Sequence, residues 1–469
     1  MPEHCTQYRT EHPAEHQVLN PATEEVIATV PATAPHEVDA AVARALRAQE
    51  HWARLPAADR ARQLRRFAVV IDEHLEELAW LEVREAGHPI VNARWETGHA
   101  RDLFDYAAGG AERLNGDQIP VPGGLDVTIH EPLGVIGVIV PWNFPMPIAA
   151  WAAAPALAAG NAVLLKPAET TPLTALRLAE LALQAGIPEG LLQVLPGAGP
   201  VTGGALVDHP HIAKIVFTGS TAVGKQVMAG CATQVKRITL ELGGKSPNIV
   251  FADADIEKAA KAAPMSFLDN TGQDCCARSR ILVHRSIHDK FLELLEPHIE
   301  AITVGDPADP ATYMGPLISA AQRERVRSYV PEDAPAAIRG SAPEGKGFWY
   351  PATVLAGVAE DAPVVTEEIF GPVAVVLPFD DEEDAVRLAN ATRYGLAGSL
   401  WTRDIGRAIR VARAVTAGNL SVNSHNAMRY WTPFGGFGES GLGRELGPGA
   451  LTSFTEIKNV FISAEDSHA

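Results

Sequence analysis

Apolar positions recur along this chain with two different periods, and the switch between them marks its organisation. Over residues 36–50 and 57–86, Ala, Leu and Val return at three- and four-residue spacing between Arg and Glu, which predicts amphipathic surface helices. VIGVIVPWNFP (135–145) is a short, apolar, β-branched run that stops at a proline, and NAVLLKPAE (161–169) repeats the design, so two buried parallel strands are predicted. The Ala-rich MPIAAWAAAPALAAG between them ends in glycine and reads as a close-packed crossover helix. TALRLAELALQAG predicts the next helix, and LLQVLPG (191–197), AKIVFTGS (213–220) and KRITLELGG (236–244) predict three more strands. This alternation over residues 133–244 implies a doubly wound α/β domain. From about residue 245, SPNIVF, ILVHR, PVVTEEIFGPVAVVLPF, GSLWT and GNLSVN are apolar, β-rich stretches separated by helices, and they predict a second α/β domain. LTSFTEIKNVFI (451–462) alternates apolar and polar residues, as an exposed strand does when it seeks a partner sheet, and it is read as an oligomer contact.

Composition narrows the function classes. With 469 residues, two or three domains are expected, and 46% apolar against 20% charged residues suits a chain folded along its length. A formal net charge of -18, with Lys and Arg gathered nowhere, argues against nucleic acid as a partner. The polar N-terminus MPEHCTQYRTEHPAEHQ has no signal-peptide core and no later run has spanning length, so a cytoplasmic location and no membrane partner are expected. The four cysteines, Cys5, Cys231, Cys275 and Cys276, make neither a disulfide framework nor a zinc spacing. Histidines such as His4, His12 and His16 are scattered, without an HExxH pair, so no metal is expected.

Five short segments carry candidate chemistry. Cys275, in NTGQDCCARSR, is followed by Arg278 and Arg280, an electropositive setting that could favour a thiolate; a buried structural cysteine is the alternative. Glu241 ends an apolar strand beside Gly243 and Gly244, at the carboxyl edge where open α/β sheets hold ligands. Apolar surroundings would raise its pKa and suit it as a general base, although a solvated strand-end Glu would look the same. Asn143 lies between two prolines in PWNFP (141–145), so its amide is either a rigid oxyanion donor or a plain turn residue. FTGSTAVGK (217–225) sets Gly219 and Gly224 between a strand and a helix, where backbone donors could face a phosphate; it matches neither GxGxxG nor the Walker pattern. Lys166 and Glu169 of KPAE lie just past a strand, within reach of ribose hydroxyls, and a carboxylate there should repel a 2′-phosphate; a helix-start acid is the alternative.

Taken in order, PWNFP, KPAE, FTGSTAVG, ELGGKSPN, GQDC, EEIFGPV and PFGGFGESGLGRE resemble the aldehyde dehydrogenase superfamily over essentially the whole chain. The resemblance implies an NAD-dependent enzyme of the hydrolytic type, oxidising a small-molecule aldehyde to a carboxylic acid through a cysteine thiohemiacetal and thioester. It implies Cys275 rather than Cys276 as nucleophile, Asn143 and the Cys275 backbone N–H as oxyanion hole, and Glu241 as the base for the deacylating water. Lys166 and Glu169 would hold the adenosine ribose, Ser220 the pyrophosphate and Glu368 the nicotinamide ribose, with Phe370 and Trp142 beside the nicotinamide. A Rossmann-like cofactor domain (1–113 and 133–244) would pair with an α/β catalytic domain (245–445). A small oligomerisation β-hairpin (114–132) with the C-terminal segment (446–469) would build a homodimer or homotetramer. A CoA-acylating enzyme is disfavoured by Glu241, and a non-catalytic homologue by the presence of all three catalytic residues.

For the substrate, the resemblance puts Phe144, Trp151, Met428, Trp431 and Phe434 near the tunnel, an apolar-to-aromatic channel. Asp274, just before the nucleophile, could attract a cationic aldehyde, an aminoaldehyde or betaine aldehyde, whereas Arg429 could favour an acidic semialdehyde; a broad aliphatic substrate range is the third possibility.

Overall fold

The computed structural model describes residues 14–330, 336–425 and 428–464. Cys5, His4, His12 and the first part of the polar N-terminus lie outside them.

Among the described residues, a six-stranded sheet forms the first α/β unit, in the order Gly441–Leu442, Arg237–Glu241, Ile212–Thr218, Val135–Ile139, Ala162–Lys166, Leu192–Val194. The last five strands are parallel, and Gly441–Leu442 joins antiparallel at the Glu241 edge. Numbered along the chain, those five run 3-2-1-4-5, the order that opens a crevice between the first and fourth strands at their carboxyl ends. Val135–Ile139 and Ala162–Lys166 are buried at every position, as strands covered on both faces must be. The crossover helix Pro145–Ala158 is buried all round. Its run of alanines lets the helix Ile90–Ala111 lie against it.

The second unit is a seven-stranded sheet ordered Ile338–Arg339, Thr353–Ala356, Val373–Phe379, Arg280–His284, Pro247–Val250, Ala397–Trp401, Asn419–Val422 among the described residues, parallel except at its first strand. A third, antiparallel sheet joins Gln118–Ile119, Gly124–Pro132 and Thr455–Ser463, with Thr455 opposite Pro132 and Ser463 opposite Gly124. The fold is therefore the α/β arrangement read from the sequence, with the small sheet as its third element.

Several boundaries differ. The periodic stretch 57–86 is two helices, Ala57–Glu73 and Leu75–Ala86, broken at His74, which leaves helical geometry (φ -107°, ψ 16°). In PVVTEEIFGPVAVVLPF only Val373–Phe379 is strand; Pro363–Thr366 is one helical turn, because proline at its start lacks the N–H a strand ladder needs. Leu451–Phe454 is a 3-10 turn, and the C-terminal strand begins at Thr455. The hairpin Glu15–Leu19 with Val26–Pro31 and the helix Ile90–Ala111 had no strong periodic signature and were not anticipated.

Candidate active site

The crevice predicted by the strand order is a cleft of about 300 Å³. Pro141, Trp142 and Asn143 enter it from the turn after Val135–Ile139, Thr218, Gly219 and Ser220 from the turn after Ile212–Thr218, and Glu241, Leu242 and Gly243 from the next strand end. Across from them, Cys275, Gln322, Arg325, Glu368 and Phe370 come from the second unit.

Two adjacent glycines make this approach possible. A β-carbon on Gly243 would lie 2.3 Å from Glu368 Oε2, and one on Gly244 would lie 2.3 Å from the Cys275 carbonyl oxygen. With only hydrogen there, the Gly244 N–H donates to Glu368 Oε1 at 2.8 Å, and the nucleophile's turn packs directly on the strand end. Gly272 does the same from the other side. It adopts φ +70°, and a β-carbon would strike the Gly371 carbonyl at 2.1 Å.

Asn143 is buried, and its Nδ2 donates one hydrogen to the Gln273 carbonyl at 2.9 Å, two residues before Cys275. The amide's second hydrogen is the one that can serve an oxyanion. Asn270 Nδ2 donates to the Asn143 carbonyl at 2.5 Å, and Glu82 accepts the Met146 N–H at 3.1 Å, so PWNFP is clamped from both ends. The backbone at Asn270 and Thr271 runs left-handed (φ 47° and 60°), a strained turn just before the nucleophile.

Glu241 is buried and neither carboxylate oxygen has a hydrogen-bond partner among the described residues. Burial, then the nearby Glu445 carboxylate and the Cys276 thiol, raise its pKa well above the usual range, against a smaller opposing pull from Arg444. Glu445 is likewise buried without a hydrogen-bond partner, and burial raises it to about 7, partly offset by Lys214. Sequence reasoning missed Glu445: it sits in GLGREL, 204 positions from Glu241, and only folding brings the two acids together.

The expected electropositive setting of Cys275 is not what the fold builds. Arg280 is fully buried and points its guanidinium at the carbonyls of Lys245, Leu388 and Ala389, each at 2.7 Å. Contact with the Cys276 thiol, then burial and the charges of Asp274 and Glu368, push the Cys275 thiol above its ordinary value.

Lys166 and Glu169, past the end of the strand Ala162–Lys166, are not among the residues that line the cleft; there Lys166 Nζ donates to Glu169 Oε2 at 3.2 Å and the Gly199 N–H donates to Glu169 Oε1 at 2.8 Å. Burial opposes ionisation of Glu169, but Lys166 and that N–H outweigh it and hold the carboxyl below its usual range. Ser220 caps the helix Thr221–Ala232 through the Val223 N–H, so the helix N-terminus faces the cleft beside Gly219. Gly224 lies inside that helix, where a β-carbon would meet Leu242 Cδ2 at 2.4 Å, so it serves helix-to-strand packing. Loss of water raises Glu368 to about 7, despite the Gly244 N–H. Phe370 adopts φ 62° and sets its ring edge-on to Trp142, centroids 5.3 Å apart. Gln322 Nε2 donates to the Phe370 carbonyl at 2.6 Å and Arg325 to the Glu368 carbonyl at 2.7 Å, two supports with no linear motif.

In the core of the first unit, against which Cys275 also packs, Trp151 meets Phe434 at 5.1 Å and donates its indole N–H to His99 Nε2 at 3.3 Å. Burial lowers His99 to about 4, so the imidazole is neutral and can accept. Trp95 stacks on His99, and Tyr430 packs beside it. Phe144 and Met428 are half-buried against the same core, whereas Trp431 is half exposed and Arg429 exposed. Asp274 Oδ1 accepts the Cys276 N–H at 2.9 Å. Asp269 is exposed at the start of the Asp269–Gly272 turn, and its Oδ1 accepts from Asn92 Nδ2 at 3.2 Å.

Comparison with known proteins agrees with this architecture. The profile of the Aldehyde dehydrogenase family matches residues 8–460. Betaine aldehyde dehydrogenase of Agrobacterium fabrum is 44% identical over 94% of this chain and 92% of its own length, and aldehyde dehydrogenase of Aspergillus niger is 42% identical over 96% and 92%. The NAD+ complex of aldehyde dehydrogenase from Bacillus cereus superposes with a TM-score of 0.94 at 41% identity, covering 96% of this chain and 94% of that one. The chain belongs to the aldehyde dehydrogenase family.

Proposed function

We propose that this enzyme oxidises an aldehyde to a carboxylic acid with NAD, using Cys275 as nucleophile, Asn143 as oxyanion donor and Glu241 as general base. The observation that carries this reading is that Asn143, Glu241 and Cys275 line one cleft together with Gly219, Ser220, Glu368 and Phe370. Several relatives are named betaine aldehyde dehydrogenase, and the similar Bacillus cereus structure is an NAD+ complex. The residues fit the dinucleotide: an ionised Glu169 beside Lys166 suits a ribose diol, and a capped helix N-terminus suits a pyrophosphate. When bound, NAD supplies the hydride acceptor.

Cys275 sulfur, once deprotonated, attacks the carbonyl carbon; the carbonyl electron pair moves to oxygen, where the second hydrogen of Asn143 Nδ2 meets it. After the hydride leaves, a thioester remains on Cys275. Glu241 then takes a proton from water, the resulting hydroxide attacks the thioester, and the Cys275 thiolate departs. Glu445, sharing the buried region, favours proton uptake by Glu241 because two neighbouring carboxylates resist being ionised together.

The test is NADH formation by wild type against Cys275→Ala, with Glu241→Gln in a rapid-mixing experiment. Wild type alone turns over, and Glu241→Gln keeps its first burst of NADH while steady turnover falls; equal loss of burst and turnover in Glu241→Gln removes the base assignment.

The finer substrate proposal is a cationic aldehyde such as an aminoaldehyde or betaine aldehyde. It is supported by Asp274 immediately before Cys275 with Asp269 five residues earlier, and by the aromatic residues Phe144, Trp151 and Phe434 in the first unit, and Arg429, exposed on its loop, gives an acidic semialdehyde less support. Asp269→Asn and Asp274→Asn should each lower the preference for an aminoaldehyde over an aliphatic aldehyde of equal length by roughly five-fold, about 1 kcal/mol. An unchanged ratio in both variants rejects it.

A homodimer or homotetramer is proposed from the small sheet, where Leu125 and Ile129 on the middle strand and Ile457, Phe461 and Ile462 on the edge strand Thr455–Ser463 stay exposed. Phe461→Glu should shift the sedimentation of the purified protein toward monomer, and an unmoved boundary counts against this face. Free thiols at Cys231, Cys275 and Cys276 suit a reducing, cytoplasmic compartment, a placement that fractionation of the native cells would overturn by finding the enzyme outside the membrane. No described helix is long and apolar enough to cross a membrane.

A further inference from the structure

The catalytic cycle above uses one thiol, yet the fold holds two at the same place. Residues Asp274–Ala277 form a turn closed by the Ala277 N–H donating to the Asp274 carbonyl at 3.0 Å, with Cys275 and Cys276 at its centre. Consecutive side chains of extended backbone point to opposite sides, so adjacent cysteines on a strand could not meet. Here the turn keeps both sulfurs and an Asp274 carboxylate oxygen within 4.8 Å of one another. The Cys276 N–H is anchored on Asp274 Oδ1 at 2.9 Å, and both cysteines are half-buried, with Cys275 open to the cleft. Cys231, by contrast, is buried in the helix Thr221–Ala232.

We propose that Cys276 is a resolving thiol, which converts oxidation of Cys275 by a hydroperoxide into a reversible Cys275–Cys276 disulfide. In the first step the Cys275 sulfur attacks the peroxide; an S–O bond forms, the O–O bond breaks, and the alcohol or water fragment leaves with the thiol proton. In the second, the Cys276 sulfur attacks that oxidised sulfur; the S–S bond forms, the S–O bond breaks, and the hydroxyl leaves as water with the Cys276 proton. Two thiols are oxidised by two electrons and one peroxide is reduced. Neighbouring Cα atoms are ~3.8 Å apart, shorter than disulfides ordinarily span, so this bridge is strained and readily reduced. It therefore acts as a temporary cap against the sulfinic and sulfonic states, from which the nucleophile would not return. The consequence for catalysis rests on Cys275 being the nucleophile, whereas the bridge itself is read by mass and is independent of that assignment.

The experiment treats purified full-length enzyme with hydrogen peroxide and follows activity and intact mass before and after dithiothreitol, each variant normalised to its own untreated activity. Wild type should lose activity together with two hydrogens of mass in the peptide carrying Cys275 and Cys276, and dithiothreitol should restore both. Cys276→Ser should instead gain two or three oxygens on Cys275 and stay inactive after reduction. Oxygen-adding, irreversible products in wild type as in Cys276→Ser overturn the proposal. Phenylarsine oxide, whose arsenic bridges two neighbouring sulfurs, gives a measurement on wild type alone. One arsenic bound per chain across Cys275 and Cys276, released by a dithiol and not by an equal concentration of monothiol, is expected; its absence at this pair overturns the geometry. If Cys275→Ala retains activity while wild type still forms the bridge, the nucleophile assignment fails and the disulfide stands.

Discussion

Adding one methyl group at either of two adjacent glycines should damage this enzyme in two different ways. In Gly244→Ala the new carbon meets the Cys275 carbonyl oxygen at 2.3 Å, a backbone atom that cannot rotate away. Reaching an ordinary contact distance requires the nucleophile's turn to retreat by about 1 Å. A displacement of that size at a reacting group costs on the order of 100-fold in kcat/KM. In Gly243→Ala the carbon meets Glu368 Oε2 at 2.3 Å, but this is the free end of a side chain and can swing out. What is then lost is the Gly244 N–H to Glu368 hydrogen bond, about 1 kcal/mol for an acceptor raised to about 7, or roughly 5-fold in KM for NAD. The assay is steady-state NADH formation with NAD varied, together with the rate at which iodoacetamide alkylates Cys275 in the absence of NAD, on variants whose thermal unfolding stays cooperative. Gly244→Ala should lose kcat and alkylation rate with NAD KM near wild type, and Gly243→Ala should show the reverse. The same pattern in both variants, or a pure NAD effect in Gly244→Ala, would refute the reasoning from close approach.

Two further outcomes follow from the buried carboxylates. On the proposal that Glu169, held below its usual pKa range, repels a 2′-phosphate, Glu169→Gln should move the ratio of kcat/KM for NADP over NAD upward by at least about 10-fold, the scale of one like-charge contact near a surface; an unmoved ratio in matched assays places the 2′-position elsewhere. Glu445 has a folded-state pKa of about 7, above that of a free Glu, so the folded chain holds a proton the unfolded chain has released, and stability falls as pH rises from about 4.5 through 7. The window is worth on the order of 3 kcal/mol for this group. Denaturant unfolding of wild type at pH 5, 6 and 8 (roughly spanning that window) should show a decline to which the raised Glu85 and Glu368 also contribute, and Glu445→Gln should lessen it by about this group's share; parallel curves for the two proteins discount the buried acid.

What was legible in the sequence was the part of the site written in residues with unusual backbones. PWNFP, GQDC and ELGG declare themselves because proline, glycine and a strand end constrain the chain locally, and the fold puts Asn143, Cys275 and Glu241 around one cleft. The doubly wound α/β class followed from the same alternation of buried strands and helices, whereas the strand order comes from the fold. The environment of each charged group was not legible, because it sums over neighbours from distant segments. Arg278 and Arg280 beside the cysteines suggested a stabilised thiolate, but Arg280 faces three backbone carbonyls, and the groups that set the thiol are Cys276, Asp274 and Glu368. Gln322 and Arg325 were invisible for the same reason, since their helix carries no signature and their function is to hold the carbonyls of Phe370 and Glu368. His74 broke a helix without glycine or proline to mark it. Motif spacing marks Asn143, Glu241 and Cys275, which the fold brings to one cleft, while the protonation states of such groups are set by tertiary contacts; Glu241 and Glu445, 204 positions apart and both without hydrogen-bond partners among the described residues, are the pair in which that difference bears most directly on the proposed chemistry.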